Sequence, residues 1–346
     1  MNLIFSPTFR EVWERGRYDI CQFSRDFLDI DPHTGQDGKS GQVKWLTTKV
    51  FALERFLSSG NRWGKSSSAA TKHLHHILYQ TRDPKYADQT SNYVRANISI
   101  TLDIASIAWK KAYQLASESK LYRQFLMDEE NRKTPFPSMT VGYCKEVRSQ
   151  LWARSTARNA EYLLGHTFDG FNYDEAAQDP NGLHILDNVL RNRVIDRNAG
   201  IDFTSTGNFK NWYYTMCMKA ARDESGYYYF QTGSTYDNPH IPRERIDINA
   251  RNMSQMYKEQ NIFGGFADTA NFFPMEKVEA CYSGQDYSYP VSPHKEGRYI
   301  AGLDWGRKND PTVLLICDIS KEPAPLVYVD AMGGSELASI DWTGEH

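Results

Sequence analysis

The first 50 residues read as short helical pieces that give way to a turn-rich insert, Asp29 to Gly41, punctuated by Pro32, Gly35, Gly38 and Gly41. Phe51 to Leu57 then reads as a short buried strand and Ala69 to Tyr79 as a helix, with a polar decapeptide between them. Tyr93 to Ser99 alternates like a strand. Thr101 to Ala116 follows with apolar residues at helical spacing: Leu102, Ala105, Ala108, Trp109, Ala112 and Leu115. Met127 to Met139, polar and carrying Pro135 and Pro137, reads as a surface loop, Leu151 to Ser155 as a strand and Ala157 to Leu164 as a short helix. Short strands ending near Asp174 and beginning at Ile201 complete an alternation of strand and helix, which predicts an α/β fold with a wound, mainly parallel sheet. Beyond Arg298 the pattern changes. Tyr299–Asp304, Thr312–Asp318 and Leu326–Asp330 read as three successive strands joined by turns.

The decapeptide between the first strand and its helix is Ser58-Ser59-Gly60-Asn61-Arg62-Trp63-Gly64-Lys65-Ser66-Ser67. Glycine, lysine and hydroxyl residues stand in the order a phosphate cradle needs. A strand, a tight loop and a helix N-terminus gather backbone N–H groups around one anion, the lysine neutralises the outer phosphates and the Ser66 hydroxyl holds Mg²⁺. The usual pattern, G-x-x-x-x-G-K-[ST], has its first glycine where Ser59 stands, with Gly60 one place later.

Composition narrows the picture without choosing a chemistry. The 346 residues suffice for one large α/β domain and a smaller second one. The net charge of −3 excludes an indiscriminately basic nucleic-acid coat, so any DNA contact must be local. Cys21, Cys144, Cys217, Cys281 and Cys317 are scattered, odd in number and never paired as C-x-x-C, which argues against a disulfide framework or a zinc site. No apolar run approaches the 18 or more residues of a membrane span, and the N-terminus lacks a signal-peptide core.

Three further stretches bear on the loop. Phe168 to Ala177 contains the pair Asp174-Glu175 at the end of a strand; in such a place the aspartate joins the Mg²⁺ shell and the glutamate polarises the attacking water. Asn172 makes that strand less apolar than a buried central strand prefers. The run Thr204-Ser205-Thr206-Gly207 ends the strand that begins at Ile201, where hydroxyls can sense a γ-phosphate. Gln42, about 20 residues before the loop, can offer a paired donor and acceptor to an adenine edge. His73, His75 and His76 lack the i, i+4 spacing of a zinc pair and are expected on a solvated helix face.

In this order the pieces resemble the large terminase subunit of tailed bacteriophages, an ATP-driven motor and nuclease that packages viral DNA. The likeness is carried by the GNRWGKS loop, Tyr173-Asp174-Glu175-Ala176, Thr204-Ser205-Thr206-Gly207, Gly233-Ser234-Thr235-Tyr236-Asp237-Asn238-Pro239-His240-Ile241-Pro242 and Tyr299-Ile300-Ala301-Gly302-Leu303-Asp304-Trp305-Gly306, over roughly residues 20 to 332. The resemblance implies a P-loop NTPase fold followed by a partial RNase H-like domain. It divides the chain into a lead-in (1–40), an ATPase domain (41–250), a linker or subdomain (251–297) and the opening of a nuclease domain (298–346). By the same likeness ATP is bound by Gln42, Gly60, Asn61, Arg62, Trp63, Gly64, Lys65, Ser66 and Ser67. Glu175, Lys65 and Arg62 act in catalysis, Thr204, Ser205, Thr206 and Gly207 couple hydrolysis to movement, and Ser66 and Asp174 hold Mg²⁺. Asp304 would hold Mg²⁺ or Mn²⁺ in the nuclease, and Arg154 or Arg158 would serve a neighbouring subunit of a ring.

The implied partners are double-stranded DNA, the portal protein and procapsid, the small terminase subunit and further copies in a ring, with no membrane. The implied place is the host bacterial cytoplasm, transiently at the procapsid and outside the mature virion. A helicase-like DNA-dependent translocase and a degenerate P-loop interaction module are the alternatives. Because the chain stops at His346, before the later elements that would supply more carboxylates, the nuclease is expected to be incomplete. Purified protein is expected to show no robust metal-dependent nicking of plasmid DNA; nicking that disappears in Asp304→Ala would contradict this.

Overall fold

The computed structural model describes residues 6–48, 53–80, 93–142, 148–197, 199–267, 296–305, 312–322 and 326–332. The chain divides into two compact units, Met1–Asn271 and Phe272–His346. The first is built on a seven-stranded sheet of β1 (Glu54–Ser59), β2 (Tyr93–Ser99), β3 (Ser138–Gly142), β4 (Arg148–Ser155), β5 (Phe171–Asp174), β6 (Ile201–Ser205) and β7 (Tyr228–Gly233), in the spatial order β3-β4-β2-β5-β6-β1-β7. Every neighbouring pair is parallel except β3 with β4 at one edge. Strands β1, β2, β5 and β6 are buried at every residue, as in a sheet covered on both faces. The sequence reading of Met127–Met139 as loop overlooked the start of β3 at Ser138, an edge strand that follows two prolines.

The helices are α1 (Pro7–Tyr18), α2 (Ile20–Leu28), α3 (Gln42–Thr47), α4 (Lys65–Tyr79), α5 (Leu102–Glu118), α6 (Gly182–Ile185), α7 (Arg191–Val194), α8 (Trp212–Ala221), α9 (Arg243–Arg251) and α10 (Gln255–Asn261). Ser6 caps α1 by accepting from the Phe9 N–H, and Asp19 caps α2 by accepting from Cys21 and Gln22. The α1–α2 hairpin packs with α4 and α5 on one face of the sheet, where Phe9, Phe23, Phe27, Leu74, Ile77 and Trp109 share a core. On the other face Phe56, Tyr173 and Phe203 meet Leu186, Leu190 and Tyr213. Phe56 and Phe203, paired across β1 and β6, stack with centroids 4.6 Å apart. Among the described residues no helix is long and apolar enough to cross a membrane.

Of the α4 histidines expected on a solvated face, His76 is half-buried and the other two are not on the surface. His73 and His75 are buried, because α4 is enclosed between the sheet and the α1–α2 hairpin and has no polar side of its own. Burial, reinforced by the Arg95 charge, pushes the His73 imidazole down to about 3, and burial pushes His75 down to about 4. Both are therefore neutral near pH 7: His73 Nδ1 accepts from Arg95 Nε at 3.2 Å, and His75 Nε2 donates to the Gly16 carbonyl at 3.0 Å.

Beside these histidines, β6 carries the anion that ties helix to sheet. Asp202 accepts from Arg55 Nε on β1 at 2.6 Å and from Lys72 Nζ on α4 at 2.5 Å, with Arg95 Nη2 on β2 at 3.8 Å. Arg55 also lies over the Trp45 ring, 4.6 Å from its centroid. Three cations thus share one carboxylate that is 3% exposed, so removing it leaves them uncompensated in a low-dielectric interior.

The second unit contains an antiparallel meander, β8 (Tyr299–Asp304), β9 (Thr312–Asp318) and β10 (Leu326–Met332), in the order β10-β9-β8. Asp304 ends β8 opposite Val313 and is exposed, whereas Asp318, opposite Tyr299, is buried and accepts from the Ser320 N–H.

Asp202→Ala is expected to lower stability by about 3–5 kcal/mol, read from urea unfolding at pH 7.

Candidate active site

The decapeptide forms the turn from β1 into α4, and its carbonyls from Ser59 to Gly64 are all occupied. Ser59 O accepts from Lys65 Nζ (3.3 Å), Gly60 O from the Trp63 N–H (3.4 Å) and Asn61 O from Thr235 Oγ1 (2.8 Å). Arg62 O accepts from Asn238 Nδ2 (2.6 Å), Trp63 O from His33 Nε2 (2.9 Å) and Gly64 O from Gln42 Nε2 (3.2 Å). The N–H groups of Gly64, Lys65, Ser66 and Ser67 meet no acceptor among the described residues, and Gly64 provides no side-chain cap for α4. A loop whose carbonyls are occupied and whose amides are left open at a helix N-terminus has the donors an anion needs.

The departure at Ser59 has a structural reason. Ser59 still belongs to β1, paired with Gly233, where extended backbone suits any residue. The close approach falls one place later: a Cβ on Gly60 would lie 2.2 Å from the Ile262 carbonyl oxygen. Gly64, at φ +111°, needs its glycine for conformation as well. Arg62 adopts φ +64° and is exposed, while the Trp63 side chain is fully buried and donates from Nε1 to Ser40 O at 2.9 Å. Trp63 thus anchors the loop as well as lining its neighbourhood.

One strand, β6, separates β1 from β5, and this order brings the loop, the acidic pair and the hydroxyl run to one edge of the sheet. Lys65 Nζ lies 3.8 Å from Glu175 Oε1. Glu175 Oε2 accepts from Ser205 Oγ (3.2 Å), the Thr206 N–H (3.2 Å) and Thr206 Oγ1 (3.1 Å), which fixes its carboxylate on the segment after β6. Its backbone is left-handed (φ +51°), a conformation that costs about 1–2 kcal/mol for a residue with a Cβ. Asp174 Oδ1 accepts from Thr204 Oγ1 at 2.9 Å, and the Asp174 carbonyl accepts from Ser99 Oγ at 2.7 Å. The Glu175 backbone N–H also donates to the Asp174 carboxylate. Gly207 passes so close to residue 265 that a Cβ would lie 1.7 Å from the Gly265 carbonyl oxygen.

Burial, with the adjacent Glu175 charge, pushes the Asp174 carboxyl up to about 6, against the pull of the Thr204 hydroxyl and Lys65. The buried Asp174 carboxylate and the Ser66 hydroxyl at the start of α4 are hard oxygen donors of the kind Mg²⁺ takes together with phosphate oxygens. Among the described residues no group of three or more His, Cys, Asp or Glu is placed to hold a metal by itself.

Beside the loop is a cavity of about 430 Å³ lined by Gln42, His33, Trp63, Gly64, Ser67, Asn238, His240, Arg25 of α2 and residues of the segment after it, within the roughly 300–1,000 Å³ of ligand pockets. Gln42 spans its wall: Nε2 reaches Gly64 O, and Oε1 accepts from the His33 N–H at 3.3 Å. The amide is already braced at both ends, with one hydrogen and one lone pair remaining. Sequence reasoning missed the loop's supports, Thr235, Asn261 and Gly264; Asn61 N–H donates to Asn261 O at 2.7 Å and Ser58 Oγ to Gly264 O at 2.6 Å. The pair Gly264-Gly265 was the available signal of close backbone approach.

Other predicted residues lie apart from this cluster. Arg154 is held within the chain, stacked 4.1 Å over Phe136 and bonded to the Tyr162 carbonyl. Arg158 is exposed and opens three successive left-handed residues, Arg158, Asn159 and Ala160, where the reading expected a helix from Ala157; only a 3-10 turn, Glu161–Leu163, follows. Asp304 belongs to the second unit.

No protein-family model and no curated protein sequence matches the chain. Among solved structures it is similar to the large terminase ATPase domain of Thermus phage P74-26, with a TM-score of 0.56 and 16% identity over 76% of this chain and 98% of that one. An arginine-to-alanine mutant of that domain gives 0.55, 16%, 76% and 99%. The bacteriophage HK97 large terminase gives 0.50 and 16%, over 84% of this chain and 60% of that one. At this identity the likeness is one of fold, and the first unit has the P-loop NTPase fold.

The raised Asp174 carboxyl has a consequence for stability. Its ionisation is unfavourable in the folded, nucleotide-free chain, so the penalty is absent below about pH 4, grows up to about pH 6 and is complete above it, reaching about 3 kcal/mol. Asp174→Asn is expected to be about 2–3 kcal/mol more stable than the parent at pH 8 and no more stable at pH 4, as read from urea melts at both values.

Proposed function

We propose that the chain is the ATP-hydrolysing motor subunit of a viral DNA-packaging terminase. The observation that carries the reading is the convergence of Lys65, the Asp174-Glu175 pair and the Thr204–Gly207 segment at one site, with Lys65 Nζ 3.8 Å from Glu175. In this reading the triphosphate lies against the open amides of Gly64 to Ser67, with Gly60 and Asn61 shaping the turn and Arg62 offering a planar cation to the γ-phosphate. The base and ribose occupy the cavity walled by Gln42.

Ser66 and Asp174 would hold Mg²⁺, which when bound neutralises charge on the phosphate oxygens. Lys65, now resting between the Ser59 carbonyl and Glu175, turns to the phosphates. That releases one side of Glu175, whose carboxylate orients water toward the γ-phosphorus and takes its proton. Ser205 and Thr206 keep Glu175 in register, so a shift of the 204–207 segment and the placement of the base are mechanically linked.

The same reading makes double-stranded DNA the cargo, and the portal, procapsid, small terminase subunit and further copies of the chain the partners. Arg154 or Arg158 would act on a neighbouring subunit's site. The exposed Asp304 at the end of β8 would be a ligand of an RNase H-like nuclease domain of which the meander is the opening part.

Lys65→Ala is expected to abolish ATP hydrolysis, and Glu175→Gln to retain nucleotide while reducing turnover at least 100-fold, the upper part of the range for losing a general base being ~10⁴. Phosphate release and calorimetric ADP titration measure both, and turnover retained by either variant would overturn the assignment.

A further inference from the structure

Asn172 stands where a buried central strand favours an apolar residue, and the mechanism above makes no use of it. It is 2% exposed and faces Asn97 and Thr204, which are equally buried. The polarity of this buried row is set at its far end. The Ala105 carbonyl in the first turn of α5 accepts from Asn97 Nδ2 at 2.7 Å; a carbonyl can only accept, so Asn97 must turn Oδ1 toward Asn172. Asn172 then presents Nδ2 to Asn97 at 2.7 Å and Oδ1 to Thr204 at 3.4 Å. The Thr204 hydroxyl accordingly lies between two acceptors, Asn172 Oδ1 at 3.4 Å and Asp174 Oδ1 at 2.9 Å, with a single proton to give. The bond to the carboxylate is the shorter and the charge-assisted one, so Asn172 Oδ1 is the acceptor left short.

We infer that Asn172 is a positioning residue that tightens divalent-cation binding at Asp174 by giving the Thr204 hydroxyl a second acceptor. The inference rests on the reading of Asp174 as a cation ligand. A carboxylate that shares its charge with a cation is a poorer acceptor, and the hydroxyl can then rotate to Asn172 Oδ1 and complete the row to α5. Before the cation arrives, the same oxygen faces the hydroxyl's lone pairs and disfavours the empty site. Both effects favour the cation-bound state. Asn172 touches neither cation nor nucleotide and acts only through Thr204.

The test uses the full chain with saturating ADP and Mn²⁺ as the probe, free Mn²⁺ being counted by electron paramagnetic resonance. Asn172→Val is expected to raise the Mn²⁺ dissociation constant roughly three- to tenfold, the worth of one modest hydrogen bond, while ADP affinity in EDTA, measured by calorimetry, stays unchanged. In a Thr204→Val background, which has no hydroxyl to redirect, the same substitution is expected to have no further effect on Mn²⁺. The double variant Asn97→Val, Asn172→Val strands no amide and is expected to show the same loss as Asn172→Val. Unchanged Mn²⁺ affinity in the folded variants, an equal loss in the Thr204→Val background, or failure of both Asn172 variants to fold would overturn the inference. Absence of ADP binding by the unsubstituted chain would instead overturn the nucleotide reading on which it stands.

Discussion

A backbone carbonyl inside a protein must find a donor, and the six carbonyls from Ser59 to Gly64 each find one that braces the turn or, at Gly64, also begins α4. This requirement gives the loop its shape. Three of the donors, Lys65 Nζ, the Trp63 N–H and the Ser68 N–H, are local; Thr235 and Asn238 come from beyond β7, and His33 and Gln42 from the segment before β1. With the carbonyls committed, the amides of Gly64 to Ser67 are what remains to face a ligand, and the positive end of α4 stands behind them.

The sheet extends this constraint to the acidic residues. Strand β6 is fastened at Asp202 to α4, β1 and β2 by three cations, and two residues later its Thr204 holds Asp174. The segment that follows grips Glu175 with hydroxyl and amide groups of Ser205 and Thr206. A short, fully buried strand thus links the underside of α4 to both carboxylates, with little freedom between its two attachments.

Features encoded within ten or twenty neighbouring residues were legible in the sequence. Strand β2, helix α5, the loop's glycines and lysine, and the meander after Arg298 follow from local periodicity and turn chemistry, and the structure forms them within a few residues of the expected bounds. A polar residue on a helix is usually solvated; His75 is buried instead by the α1–α2 hairpin from about 60 residues upstream, and His73 by Arg95 and Asp202 of the sheet. Asn172 looked like a flaw in a central strand for a similar reason. Its partners, Asn97 and Thr204, lie on neighbouring strands, and no window along the chain contains all three. Thr235, Asn261 and Gly264 were invisible as loop supports because their contacts span roughly 170 to 210 positions.

Those long spans bear on how the protein is made. A ribosome delivers the loop early, but the groups that claim the Asn61 and Arg62 carbonyls and that pack against Gly60 and Ser58 emerge only with residues 233–265. Until then much of the sheet can assemble while the cradle lacks its outer wall. Central strands can therefore form before the β1–α4 turn has all its supports, which makes closure of that turn a late, long-range event in folding.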